Sequence, residues 1–308
     1  MTGVGQRANQ EESIRPSLRS RLYVPGTKVS WIEKAVASGA DAVILDLDDA
    51  VEVDDKENAR AAVAEAISSE WPIPIFVRIN DVATRWALDD LEAIIRPGLF
   101  GVVVPRLTTV TEITSLDFLF SWLELRADMT PGSVVLSPIL ETAASVHFAY
   151  DFASASARVD YLGGIATDGG DIEREIGYRW SRSAWESVAM REHCLVELRA
   201  AGVSNPLTGI WTALDDPEGL LAFTQQGRDL GYAGMDVIHP SHVAVVHGVF
   251  DDDAAAIERA QRIVDLASSS GTEIDERQVG AIRFEGRMID AAMVRTAREV
   301  LRRAGRLS

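Results

Sequence analysis

The chain has 308 residues, 47% of them hydrophobic, and a formal net charge of −17. That is enough apolar material for one large core, and enough acid to exclude nucleic acid and anionic membrane as expected partners, because like charges repel. A small anionic ligand stays compatible, since a few local arginines can hold one, and the acid excess is equally compatible with a role in solubility alone.

Taken in chain order, the opening MTGVGQRANQEESIRP is polar and lacks an apolar h-region. It reads as a flexible tail over residues 1–17 and not as a secretory signal. Eight apolar, β-branched runs follow: RLYV (21–24), AVILDL (42–47), PIFVRI (74–79), GVVVP (101–105), VVLSPIL (134–140), VDYLGGI (159–165), LTGIW (207–211) and MDVIH (235–239). Helical patterns lie between them, over 54–69, 109–127, 172–201 and 216–230. Continuously apolar strands that alternate with helices indicate a parallel sheet covered on both faces. Eight such units predict a TIM barrel over 18–250 in the α/β class; an open doubly wound sheet is the alternative. Beyond the eighth strand, 251–270 and 290–305 predict two more helices, a C-terminal arm or lid over 251–308. The single cysteine, Cys194, cannot form an internal disulfide, and the expected compartment is the cytoplasm. No apolar run approaches the roughly 18 residues of a membrane span.

Charge gathers where these strands end. Asp46, Asp48 and Asp49 follow the second, Arg78 and Asn80 the third, Arg106 the fourth and Glu141 the fifth. Asp168 and Asp171 follow the sixth, and His239 ends the eighth. In a parallel barrel all of these ends meet at one face, where active sites are built. Carboxylates with few lysines nearby point to a hard divalent cation, and Mg²⁺ takes one or two carboxylates plus waters and substrate oxygens. With no HExxH, CxxC or close His pair, zinc is not expected. Arg78 suits a bidentate contact to a substrate carboxylate. Structural roles stay open for each residue: helix capping for the three aspartates, a salt bridge for Arg78, a solvated first turn for Glu141. His239 is as well explained by a loop hydrogen bond, and His193 and Cys194 by packing.

In sequence order, RSRLYVPGTKVSWIEKAVASGADAVILDLDDAV, KENAR, VRIN, VVVPR, PILET, GGDIEREIG, GYAGMDVIHPSHVAVVHGVF and GRMIDAAMVRTAREVL make a specific set over about residues 18–305. The chain resembles the citrate lyase β-subunit-like (CitE-like) CoA-ester lyases of the HpcH/HpaI aldolase superfamily. The resemblance implies a TIM barrel assembled as a homotrimer or hexamer, with Mg²⁺ (or Mn²⁺) in the site and a CoA thioester as substrate. It implies cleavage or formation of a 3-hydroxyacyl-CoA such as malyl-CoA or citramalyl-CoA, with an acyl-CoA and a 2-oxoacid as the other side of the reaction. Glu141 matches one family metal ligand and Asp171 the other, with Asp168 as the competing match on loop length. Arg78 matches the residue that contacts the oxoacid, and Asp48 and Asp49 match acids near metal-bound waters. Arg19 and Lys28 match the CoA-facing basic positions. Asp290 matches a general acid/base carried by the C-terminal arm to a neighbouring subunit. The chain departs from the pattern at Asp48, where glutamate is usual, and at Arg106 and Met235, where lysine is. A malyl-CoA-type thioesterase, a CoA-independent HpaI-like aldolase and a non-catalytic acyl-carrier-binding subunit are the alternatives.

Overall fold

A computed structural model describes residues 15–251, 254–269, 282–303 and 306–307. Residues 1–14 of the expected tail lie outside the described residues. Those that follow are held: Arg15 donates to the Ala157 carbonyl, and the Pro16 carbonyl accepts from the Tyr161 hydroxyl at 2.6 Å. The chain divides into two compact units, 1–250 and 251–308.

The first unit is built on seven parallel strands: β1 (Ser20–Pro25), β2 (Ala42–Asp46), β3 (Ile75–Arg78), β4 (Leu99–Val104), β5 (Val135–Pro138), β6 (Leu207–Thr208) and β7 (Gly234–Val237). Their spatial order is β5-β4-β3-β2-β1-β7-β6. The expected strand at 159–165 is not a regular one. It makes isolated parallel bridges to β5, Leu136 with Val159 and Ile139 with Gly163. On its other side the Leu207 amide donates to the Leu162 carbonyl at 2.8 Å and the Ile210 amide to the Ala166 carbonyl at 3.1 Å. The segment therefore joins both edges of the sheet and closes an α/β barrel of the TIM type. Its irregularity has a local cause: Tyr161 and Gly164 take positive φ, 55° and 86°, which interrupts the pleat.

Strand alternation separates two cores. Leu22, Val24, Val43, Leu45, Val77, Val102 and Val237 pack outward against the helices, while Ile44, Phe76, Val103, Val135 and Tyr161 pack together inside the barrel. Arg21, Tyr23, Asp46, Arg78, Ser137 and Asp236 share the parity of the inner set. Registry makes two cross-strand pairs among these: Asp46 lies opposite Arg78, and Arg21 opposite Asp236. Arg21 is fully buried, forks onto Asp236 at 2.7 and 2.8 Å, and donates to Ser137 Oγ at 2.9 Å. The expected helix over 172–201 is two helices, Asp171–Ile176 and Val188–Ala200. The first stops because Gly177 adopts φ 84°, a left-handed C-cap.

The second unit pairs helices Ala254–Ser269 and Ala291–Arg303 with an antiparallel hairpin, β8 (Ile282–Phe284) and β9 (Arg287–Ile289). Glu285 and Gly286, at φ 50° and 78°, make its two-residue turn, as a primed turn requires. Phe284 and Ile289 pack with Ile263, Val294 and Leu301 in a separate small core. Among the described residues no helix is long and apolar enough to cross a membrane.

Gly26, just after β1, shows how tightly the barrel rim is packed. A Cβ there would sit 2.8 Å from the Asp46 carbonyl oxygen and 3.0 Å from Leu47. Gly26→Ala should therefore lower stability by about 1–3 kcal/mol, the usual range for overpacking, measured by denaturant unfolding.

Candidate active site

The C-terminal strand ends enclose a cavity of about 320 Å³. Asp49, Arg78, Arg106, Glu141 and Asp171 line it, with Ile139 and Ile210 beyond the ends of β5 and β6 and with Tyr23 and Asp236 inside β1 and β7. Asp46 organises one side. Its carboxylate accepts from Arg78 Nε at 2.7 Å and Nη2 at 2.6 Å, and from the backbone amides of Asp48 at 2.9 Å and Ala50 at 3.2 Å. The third arm of Arg78 reaches Asp49 at 3.1 Å, and its guanidinium lies over the Tyr23 ring at 5.3 Å. Lys56 fixes the same turn from behind, donating to the carbonyls of Leu47 and Asp48, both at 2.7 Å.

Arg106 organises the other side. It has φ 51°, a left-handed conformation uncommon for a side chain of this size. The backbone amide thereby donates to Glu141 Oε1 at 2.8 Å. Its guanidinium donates to both oxygens of Asp48 at 2.8 Å and to Asp81 at 2.9 Å, and comes within 3.7 Å of Asp49 and Asp171. Asp171 opens helix Asp171–Ile176 and pairs with Arg174 one turn on.

Glu141 and Asp171 thus face the cavity shared with Arg78. Burial pushes the Glu141 carboxyl up to about 7; the Arg106 amide opposes this, and the like charge of Asp171 adds to it. Burial also raises the Asp48 carboxyl, against the pull of Arg78 and Arg106 and with the push of Asp49. Asp168 is exposed and lines a different cavity, beside Trp180, Arg182 and Trp211.

Several expected residues are placed elsewhere. Arg19 precedes β1 and forks onto Asp41 at 2.6 and 2.9 Å. The six residues of β1 separate it from the mouth by about 20 Å, so it does not reach the cavity face. Lys28 follows β1 and is exposed on the mouth side. Asn80 is buried and bonded to Asp90 at 2.7 Å. His239 is exposed and bonds Ser241 at 2.7 Å, a loop role. Cys194 is buried, but His193 is exposed, so only the cysteine packs. Asp290 belongs to the second unit, where its carboxylate accepts from the Met293 amide at 2.9 Å and caps a helix. Attention to strand ends alone overlooks Tyr23 and Asp236, which lie mid-strand on inner parity, and the bracing residues Asp81 and Lys56. The signal for the mid-strand pair is polar residues alternating with Leu22, Val24, Met235 and Val237 in otherwise apolar strands.

Residues 19–240 match the family model described as HpcH/HpaI aldolase/citrate lyase. The chain belongs to this family. Its curated relatives include a (3S)-malyl-CoA thioesterase of Cereibacter sphaeroides, 30% identical over 93% of this chain and 94% of that one. The citrate lyase subunit beta of Escherichia coli is 27% identical, over 93% of each chain. A citrate lyase subunit beta-like protein of Deinococcus radiodurans is 32% identical over 92% of this chain and 96% of that one. Among solved structures, CitE of Mycobacterium tuberculosis, in complex with magnesium, acetoacetate and coenzyme A, superposes with a TM-score of 0.72 at 25% identity. That match covers 95% of this chain and 100% of the other. The family is enzymatic, so the cavity of this member is the natural place to look for chemistry.

The donor set suits a hard cation. Asp46, Asp48, Asp49, Asp81, Glu141 and Asp171 gather around two guanidinium groups, Arg78 and Arg106, which leaves the region strongly negative. Asp46, Asp48 and Asp81 are engaged by the arginines, whereas Glu141 takes a single hydrogen bond. Among the described residues no group of three or more His, Cys, Asp or Glu side chains forms a complete cage. An ion held by two carboxylates and completed by water and substrate oxygens is the habit of Mg²⁺.

Glu141 carries a pH signature. Its folded-state value, about 7, lies above the ordinary glutamate range, so the metal-free fold favours the protonated form. Its contribution to stability is complete below pH 4.5, the ordinary value, and is lost as pH rises through about 7. Metal-free protein should therefore lose stability across this window, Glu141→Gln should flatten that part of the profile, and Mn²⁺ affinity should climb over the same range. Melting curves and Mn²⁺ titrations at stepped pH read these effects.

Proposed function

We propose that the protein is a Mg²⁺-dependent carbon–carbon lyase. It cleaves, or in reverse forms, a 3-hydroxyacyl-CoA such as malyl-CoA or citramalyl-CoA, with an acyl-CoA and a 2-oxoacid as partners. The observation that carries the reading is the shared cavity: Glu141 and Asp171 open on the same space as Arg78 in a chain of this family. The complex of CitE with magnesium, acetoacetate and coenzyme A supports it. Glu141 and Asp171 would hold the ion, which when bound supplies a template and a Lewis acid for substrate oxygens.

The chain's own residues do the rest. Arg78, locked by Asp46, offers its remaining N–H groups to the carboxylate or carbonyl of the oxoacid fragment. Asp48 and Asp49 hold Arg106 and Arg78 in place beneath the mouth. In cleavage a base accepts the proton of the substrate hydroxyl, that oxygen becomes the carbonyl of the oxoacid, the Cα–Cβ bond breaks, and its electron pair passes into the thioester as an enolate. The donor that then protonates the enolate carbon is Asp290, exposed at the head of helix Ala291–Arg303 and brought in by a neighbouring subunit of a homotrimer or hexamer. In condensation the same carboxylate removes that proton. Lys28 is the remaining basic candidate for the CoA edge.

A thioesterase reading is favoured by the 30% identical relative of that name, and it would direct water at the thioester carbonyl. Products separate the two: free CoA with an intact hydroxydiacid marks hydrolysis, and acyl-CoA with an oxoacid marks the lyase. Acetyl-CoA or propionyl-CoA incubated with glyoxylate or pyruvate should give an adduct mass only when Mg²⁺ is present, and Glu141→Ala should lower its rate by on the order of a hundredfold or more. No adduct under any pairing sinks the lyase. Asp290→Asn keeps the helix cap, because Asn caps as well as Asp. It should cut turnover by roughly 10²–10⁴-fold with melting and Mn²⁺ affinity unchanged; full activity would remove Asp290 from the chemistry.

A further inference from the structure

Strand registry orders the cavity by depth. Asp46 lies level with Pro25 at the end of β1, Tyr23 is two residues back from there, and Asp236 lies level with Arg21, two more. Tyr23 and Asp236 therefore lie further back along the strands than the acids of the mouth, and both border the cavity. Their hydrogen-bonding states differ. Asp236 is fixed by both arms of Arg21, which occupies one acceptor site on each oxygen and leaves others open. The Tyr23 hydroxyl has no hydrogen-bond partner among the described residues, while its ring lies under Arg78 and packs against the inner core. Burial, reinforced by the Asp236 carboxylate, pushes its acid constant up, so it stays a donor at any working pH.

Tyr23 is partly buried, its ring packed against the inner core, and a tyrosine so placed presents an apolar body and a polar tip that seeks a partner. Here an unpaired donor and a carboxylate with spare acceptor capacity stand at the bottom of a cavity whose rim binds charge. The group complementary to such a pair is a hydroxyl, which accepts from one and donates to the other. A methyl in the same place satisfies neither, and a site built to bond a substrate O–H discriminates strongly against the analogue that lacks it.

We infer that Tyr23 is a substrate-binding and specificity-determining residue, and that with Asp236 it selects a 2-oxoacid bearing a hydroxyl group over one bearing a methyl. The inference rests on the oxoacid reading of the cavity, but its test is binding and not turnover. Calorimetric titration of the Mg²⁺-loaded wild type should show hydroxypyruvate bound roughly tenfold or more tightly than pyruvate. Tyr23→Phe should bring the two within about twofold by weakening hydroxypyruvate alone. It should melt no lower than wild type, since the folded chain loses no hydrogen bond. An unchanged ratio in Tyr23→Phe, no preference in the wild type, or no binding of either acid overturns the assignment. Condensation assays report separately: a preserved binding ratio without carbon–carbon chemistry sinks the lyase and leaves the role of Tyr23 standing.

Discussion

One carboxylate, Asp46, holds the mouth of this barrel together. It is almost completely buried, at 2% exposure, and takes four hydrogen bonds, two from Arg78 and two from backbone amides of the following turn. The first pair aims a guanidinium into the cavity, and the second bends the chain so that Asp49 borders it and Asp48 meets Arg106. A buried acid is tolerable only when its charge is met and its lone pairs are filled. Both conditions come from residues that also serve the site, so fold and function rest on the same contacts.

The departures at Asp48 and Arg106 become intelligible together. An acid one methylene shorter than the family's usual glutamate meets a base whose guanidinium fork reaches further than an ammonium, and the two close at 2.8 Å. Arg106 also carries Asp81 and, through its backbone, Glu141. Met235 has no share in this; it is buried against the helices, with its sulfur 3.5 Å from the Thr224 hydroxyl.

Much of the architecture is legible in the sequence because burial on both faces writes itself as unbroken apolar runs. AVILD and IFVR read as strands and are strands. The run VDYLGGI is apolar too, but its Gly163-Gly164 pair marks an irregular backbone, whereas the positive φ of Tyr161 has no local signal. The strand-end rule locates Asp49, Arg78, Glu141 and Asp171 around one cavity. Arg19, expected at the CoA edge from the family resemblance alone, lies at the opposite end of β1 and is bonded to Asp41. The strand-end rule is blind to Tyr23 and Asp236, which inner-face parity would have revealed. The hairpin at 282–289 is hard to read from sequence because strands of three residues, IRF and RMI, are too short for alternation to register, apolar though they are.

The irregular closure at 159–166 has one more implication. Regular ladders elsewhere in the sheet resist deformation, whereas this junction hangs on two isolated bridges and a few scattered amide bonds. Glu141 follows one lip of that junction and Asp171 descends from the other. Any ligand that spans the two carboxylates would act as a clasp across the weakest joint of the cylinder, making occupancy and mechanical rigidity two aspects of one event.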